Sequence, residues 1–328
     1  MIWNDTTMID EALEQLKKIV EQENEFIITS HVRSDGDSIA TQIALAYALK
    51  QLNKKVTIIN KDPVPMLYKF LPGTDMITIS DEIPEHPRVV FYIECSDEER
   101  PELQILGKHF IVNIDHHITN TMYGDLNWIN SSSPAAGAMI YDFLQIMNIT
   151  LTKEIAENIY AAIAADTGGF RYNLSANTFY LCQEMMKTGI KAETANKNLF
   201  GNYPATRVKL LAEVLATLQF DANGKVAWIV STDEMLTKTG ATPIDAEGFI
   251  DCILFIEGVE MALFFKQFST AGVRVSLRSS GTIDVSPIAR EYGGGGHKYA
   301  SACSLPGTMG DAIPEFLQRL KQFYEKEL

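Results

Sequence analysis

The sequence predicts an α/β protein: a larger N-terminal domain with a mostly parallel sheet flanked by helices, and a smaller α/β C-terminal domain. Three observations carry this. The 328 residues are about twice a typical ~150-residue domain. Short apolar runs alternate with helical patterns through the first half. Past about residue 220 the pattern turns to β-rich stretches with one closing helix.

Taken in order, Ile9, Leu13, Leu16 and Ile19 recur at near-helical spacing and predict an amphipathic helix over 7–21. Phe26 to Ser30 is a β-rich run. The turn-like Ser34-Asp35-Gly36-Asp37-Ser38 follows, and then an apolar helix from about Ile39 to Leu52. Strands are expected at 56–59, 89–93 and 110–114; being near-continuously apolar, they read as parallel strands buried on both faces. Helices are expected at about 135–147, 153–165, 175–187 and 204–218. The polar stretch 189–206 reads as the start of an interdomain connection, which sets the domains at 1–190 and 221–328 with a helical linker over 191–220. Strands at 225–231, 259–267 and 272–278 and a helix at 310–326 complete the chain.

Composition narrows the function classes. Hydrophobic residues make up 46% and charged residues 21%, which excludes wholesale disorder. A net charge of −14 argues against coating duplex DNA with a broad basic surface. It leaves room for a small anionic substrate if metal ions or a local basic patch supply positive charge. The four cysteines form no Cys-x-x-Cys pair, so neither structural zinc nor a disulfide framework is expected. The N-terminus lacks the pattern of a signal peptide, and no apolar run reaches the ~18–20 residues that span a bilayer. A cytoplasmic protein without a membrane partner is expected.

The ionisable residues fall at strand ends. His31, Asp35 and Asp37 follow the first strand, Glu94 ends the 89–93 strand, and Asp115, His116 and His117 follow the 110–114 strand. In an open parallel sheet the carboxyl ends of strands line one crevice, where ligands bind. Asp166 ends a helix, and the following Thr167-Gly168-Gly169 permits a sharp turn. Each cluster alone reads as a solvated turn or cap. Three of the six histidines at these strand ends do not. Imidazoles mixed with several carboxylates suit Mn, Co or Fe rather than an all-oxygen cage or a thiolate site, and two such metals can activate water for phosphoryl displacement.

A second signal is Gly293-Gly294-Gly295-Gly296-His297. Consecutive glycines imply a close approach of backbone to a ligand or to another segment. Between Ala271 and Cys303 stand Arg274, Arg278, Arg290 and Lys298 against Asp284 and Glu291, a local excess of cations in an acidic chain. A phosphate-binding patch is the expectation.

Together and in this order, His31-Val32-Arg33-Ser34-Asp35-Gly36-Asp37, Asp115-His116-His117, Asp166-Thr167-Gly168-Gly169 and the glycine run resemble the DHH/DHHA1 phosphoesterases. The branch they look like is that of the NrnA-type nanoRNases and pAp phosphatases, related to RecJ-type exonucleases. The resemblance implies a DHH catalytic domain followed by a DHHA1 substrate-binding domain. It implies two Mn²⁺ ions, with Mg²⁺ or Co²⁺ as alternatives: one on His31 and Asp35, the other on Asp37, His116 and Asp166. Where the family has a bridging Asp and, six residues on, an Arg, this chain has Glu94 and Arg100; Asp97 is an alternative occupant of the bridging place. Asp115 would orient the histidines and His117 would meet the phosphate. Arg278, His297 and Gly294, Gly295 and Gly296 would hold the far end of the substrate.

The implied activity is hydrolysis of short single-stranded oligoribonucleotides to mononucleotides, of 3′-phosphoadenosine 5′-phosphate (pAp) to AMP, or both, by a hydroxide that two metals activate. Cyclic or linear dinucleotides are the alternative substrates, and a homodimer is compatible with the sequence. The alternative from another class is a nucleotide-binding regulator with impaired catalysis, which Glu94 alone favours.

Overall fold

The protein, a computed structural model, is described over residues 6–267, 272–281 and 283–324, with backbone alone for 6–10 and His297. The end of the closing helix at 325–326 lies outside the described residues. Two compact units divide the chain, Met1–Asn202 and Tyr203–Leu328.

In the first unit the apolar runs become the strands β1 (Glu25–Ser30), β2 (Lys55–Asn60), β3 (Ile77–Ile79), β5 (Val89–Ile93), β7 (Phe110–Asp115) and β8 (Leu126–Ile129). They form one sheet in the order β3-β2-β1-β5-β7-β8, and each adjacent pair is parallel. A short parallel ribbon of β4 (Glu82–Ile83) and β6 (Gln104–Ile105) stands apart. All five residues of β5 are buried, as a central strand covered on both faces requires. One face packs Phe26, Ile28, Phe91 and Val112 beneath helices. The other packs Ile27, Val90 and Tyr92 beside Ile83 and Ile105 of the ribbon. Full burial of each such side chain stabilises the unit by roughly 1.5–3 kcal/mol.

The helices are α1 (Thr6–Gln22), α2 (Gly36–Gln51), α3 (Ala136–Ile146), α4 (Lys153–Asp166), α5 (Ala176–Lys187) and α6 (Ala192–Phe200). Helix α2 is apolar nearly all round and is buried between the sheet, α3 and α4, the situation such a helix needs. Its alanines and those of α4 permit close packing. The strongest instance is Gly137 at the start of α3, where a Cβ would lie 2.4 Å from Cβ of Ala162 on α4.

The second unit has α7 (Ala205–Leu215), β9 (Gln219–Phe220), β10 (Val226–Thr232), α8 (Asp233–Thr239), α9 (Phe249–Leu254), β11 (Met261–Gln267), β12 (Val273–Ser279), α10 (Ser286–Glu291), β13 (Gly295–His297), β14 (Ala300–Leu305) and α11 (Met309–Phe323). Its sheet, in the order β13-β14-β12-β11-β10-β9, is mixed: β10 and β11 run parallel and the other pairs antiparallel. One face is covered by α7 and α9 through Leu210, Val214, Phe249 and Ile253. The other packs Leu263, Val275 and Leu277 against Ile288, Phe316 and Leu320 of α10 and α11.

The stretch 191–220, expected as a linker, is shared between the units. Leu199 of α6 packs in the first core and Leu210 and Val214 of α7 pack in the second. Polar composition hid the one buried residue of α6, Leu199, and the two of α7, Leu210 and Val214. Among the described residues, no helix is long and apolar enough to cross a membrane.

Candidate metal centre

Strands succeed one another outward from β1, through β2 and β3 on one side and β5, β7 and β8 on the other. Connections leaving β1 and β5 therefore diverge and open a crevice at their carboxyl ends, the usual ligand position in such sheets. His31, Asp35 and Asp37 follow β1, Glu94 follows β5, Asp115 ends β7, and His116 and His117 follow it. The end of α4 brings Asp166, and Gly168 and Gly169 then turn the chain at φ 58 and 74, a region that glycine enters without strain.

These residues meet. His116 Nε2 lies 3.0 Å from Glu94 Oε1, 3.5 Å from Asp166 Oδ2 and 3.8 Å from Asp37 Oδ2. His31 Nε2 lies 3.9 Å from both Asp35 Oδ2 and Glu94 Oε2. Two triplets with metal-ligating spacing result, Glu94–His116–His117 and His31–Asp35–Glu94, and Glu94 belongs to both. Each histidine is fixed from behind. The Nδ1 of His31 faces the Val32 carbonyl at 2.8 Å, and that of His116 faces the Ser133 carbonyl at 3.1 Å. A carbonyl only accepts, so both Nδ1 atoms carry a hydrogen and both Nε2 atoms face the carboxylates.

Asp115, fully buried, accepts from the amides of His116 and His117 and from His117 Nδ1, at 2.7, 3.1 and 2.6 Å. Burial pushes its carboxyl up, but the hydrogen bonds and charge of His117, with Asn120, overcome this and hold it at about 2. Burial also pushes Asp35 up, but His31 and the Ser38 amide overcome it and hold that carboxyl below the usual range, whereas Glu94, Asp37 and Asp166 respond in the opposite sense. Burial first, and then Asp35, Asp37, Asp166 and Asp115, raise Glu94 well above the usual carboxylate range. Burial also raises Asp37, and it lifts Asp166 to about 7, with Asp37 and Asp35 adding to it and His116 opposing.

Such crowding of negative charge is unfavourable unless cations neutralise it. Glu94 Oε2 is buried without a hydrogen-bond partner, and buried polar atoms are rarely left so. An imidazole and carboxylate donor set with one orphaned carboxylate oxygen fits divalent cations of the N/O-binding kind. Asp97 accepts from the amide of Glu99 at 3.1 Å and belongs to neither triplet. Arg100 sits at the edge, its carbonyl accepting from the Val32 amide and its guanidinium 3.5 Å from the Glu94 carbonyl.

Arg278 and the glycine run belong to the second unit and form a group of their own. Arg278 on β12 stands opposite Ala300, which stands opposite His297. The glycines divide by role. A Cβ at Gly294 would lie 2.1 Å from the Ala302 carbonyl oxygen and one at Gly296 2.4 Å from that of Ala300, while Gly293 and Gly295 meet nothing within 4 Å. The close approach expected of the run is thus met by β14 at two positions and left open at two.

Two features escape sequence reasoning, a second role for Asp37 and the part played by Asn120. Asp37 accepts from the amides of Ala136 and Gly137 at 2.6 and 2.9 Å and so caps α3, which has no capping side chain of its own. The positive helix end and the carboxylate stabilise one another. Asn120 donates to Asp115 Oδ2 at 2.6 Å and accepts from Asn113 at 3.1 Å. The one available signal for the first was a run of small residues, Ala135-Ala136-Gly137, ahead of an apolar helix.

Comparison with known proteins supplies the family and the fold. Residues 25–163 match the DHH family, N-terminal domain, and residues 212–326 the DHHA1 domain. The chain is 30% identical to the bifunctional oligoribonuclease and PAP phosphatase NrnA of Thermus thermophilus, across 98% of this chain and 94% of that protein. The protein of the same name from Bacillus subtilis is 28% identical across 85% and 88%. An exopolyphosphatase-related protein of Bacteroides fragilis shares the fold with a TM-score of 0.89 at 24% identity, covering 97% of both chains. RecJ of Thermus thermophilus in complex with Mn²⁺ shares it with a TM-score of 0.53 at 14% identity, over 97% of this chain and 55% of that one.

Proposed function

The chain belongs to the DHH family and carries the DHHA1 domain, and from that premise we propose that it hydrolyses short oligoribonucleotides to mononucleotides and pAp to AMP. Its class, a phosphoester hydrolase, is that of its relatives. The observation that carries the reading is the Glu94 carboxylate shared by two sets of ligating atoms.

His31 and Asp35 would hold one ion, and Asp37, His116 and Asp166 a second, with Glu94 serving both. The mixed donors suit Mn²⁺, Co²⁺ or Fe²⁺, and of these Mn²⁺ is the ion that the family resemblance implies. Bound there, divalent cations supply Lewis acidity toward phosphoryl oxygens and lower the pKa of a water. The chain's own residues do the rest. Asp115 holds the His117 ring by its Nδ1 hydrogen and so presents the imidazole to a phosphate, where it stabilises charge that grows in the transition state. The Val32 and Ser133 carbonyls keep the His31 and His116 tautomers fixed, so no reorganisation is needed on turnover. In the second unit, Arg278, Gly294 and the strand that bears Gly295, Gly296 and His297 would bind the far end of the substrate and orient it.

The test is a panel of pAp, RNA of two to five residues, cyclic di-AMP and pyrophosphate with added Mn²⁺. Release of AMP from pAp and of mononucleotides from RNA is expected. Turnover of pyrophosphate or cyclic di-AMP alone would replace this reading, and turnover of none would leave a nucleotide-binding protein.

A further inference from the structure

Strand β12 turns Val273, Val275 and Leu277 into the core beneath α10 and α11. Alternation along a strand then puts Arg274, Ser276 and Arg278 on the opposite face. The register extends these positions into rows. Arg274 lies between Lys266 and Ser304, Ser276 between Phe264 and Ala302, and Arg278 between Ala262 and Ala300. Beyond Ala302 comes Gly295, and beyond Ala300 comes His297. The cations at the two ends of β12 are therefore separated by Ser276, and on the β14 side the row carries only the small side chains of Ser304, Ala302 and Ala300. Arg274 and Ser304 are exposed, and Ser276, Arg278, Ala300 and Ala302 are partly so.

The charges on this face are incompletely balanced. Lys266 and Arg274 stand directly opposite each other, an arrangement that costs free energy between like charges. Lys266 is paired with Glu247 at 3.0 Å. Among the described residues no carboxylate pairs with Arg274 or Arg278, and the Arg278 guanidinium donates to the Leu277 carbonyl. An anionic ligand would complete both.

The spacing selects its length. Four residues of antiparallel strand separate the two arginines by about 14 Å at ~3.4 Å per residue. Six backbone bonds join successive phosphates in RNA, as many as in two peptide residues, which reach about 7 Å. Arg278 and Arg274 thus match phosphates roughly two nucleotide steps apart. The Ser276 hydroxyl stands midway, placed for the intervening phosphate or a ribose 2′-hydroxyl. The two phosphates of pAp sit on one nucleoside and span a single step, too short for both arginines.

We propose that Arg274 is a specificity residue: it takes the phosphate two steps from the one at Arg278 and so favours oligoribonucleotides over pAp. This rests on the substrate reading above. The test uses the full chain in chelator, so that binding is read apart from turnover, with pAp and a 5′-phosphorylated pentaribonucleotide as probes. In Arg274→Ala the dissociation constant for the pentamer should rise about tenfold, the loss of a charge-assisted contact, and its salt slope should fall by about one. The rise for pAp should be smaller by about fivefold, since only the longer ligand spans both arginines. Arg274→Lys should recover most of the loss. Equal weakening of both ligands, or none for the pentamer, would overturn the assignment. Wild-type protein with Mn²⁺ that releases neither AMP nor mononucleotides would instead sink the substrate reading, independently of the Arg274 result.

Discussion

At Glu94 the burial, the ligating geometry and the backbone strain of the candidate metal centre coincide. The residue is buried, it belongs to both ligating triplets, and its backbone lies at φ 58, where a non-glycine residue is held at a cost of order 1–3 kcal/mol. Strain of this kind persists only where surrounding structure enforces it, and here it aims the carboxylate into the crevice. Elemental analysis should find Glu94→Gln depleted in bound Mn²⁺ and largely inactive, and Asp97→Ala near wild type in both; the reverse ranking would give the bridging role to Asp97. Asn120 acts at one remove. Its loss leaves Asp115 Oδ2 without its 2.6 Å donor, and outer partners of this sort typically matter by 10–100-fold. Asn120→Ala should lower kcat about tenfold with little change in KM, because the His117 ring loses its fixed orientation while distant substrate contacts remain. Residue type and strand-end position made Glu94 visible in the sequence. Asn120 was not, since it reads as an ordinary loop amide until Asp115 is placed beside it.

At the scale of elements, the first turns of α2 and α3 and the body of α4 converge where Gly137 sits. The absent side chain does two things: it lets α3 approach Ala162 and it lets the Gly137 amide reach Asp37. Gly137→Ala should destabilise the first unit by about 1–3 kcal/mol, as overpacking does, and should weaken metal binding by displacing Asp37. Calorimetry together with Mn²⁺ titration would check both, and an unchanged melting point would refute the packing argument. The glycine run offers the contrast. Gly294→Ala should disrupt the pairing of β13 with β14, since its Cβ would collide with the Ala302 carbonyl, whereas Gly295→Ala meets open space and should melt like wild type. The sequence marked all four glycines alike, because only the partner strand distinguishes them.

For the whole molecule, the acidic cluster makes stability depend on pH and metal together. The Asp166 carboxyl rises from 3.8 to about 7 in the fold, and Glu94 shifts the same way, so the folded state retains protons that the unfolded chain releases. The Asp166 contribution is full below the unfolded value and is lost as pH rises through about 7, and that of Glu94 has the same sign. Asp115, held at about 2, has the opposite sign, and its contribution disappears only as pH falls from about 4 toward 2. Metal-free protein should therefore melt several degrees lower at pH 8 than at pH 5, and Mn²⁺ should remove most of the difference by binding the folded state alone. A melting curve at pH 8 insensitive to Mn²⁺ would mean that the cluster does not hold the ion.

The sequence by itself determined the strands β1, β2, β5 and β7, the helices α1 to α5, and the placement of histidines and carboxylates at strand ends. Those features rest on periodicity and on residue types only a few positions apart, which a linear reading captures. It also carried the family, because the motifs keep their order along the chain. Tertiary structure alone decided that Glu94 and not Asp97 is shared between the two ligating triplets, that Asp37 caps a helix about a hundred residues away, and that Asn120 braces Asp115. It also divided 191–220 between two cores. Each of these depends on which strands and helices become neighbours, and that follows from sheet order, a property of the folded chain as a whole and not of any segment within it.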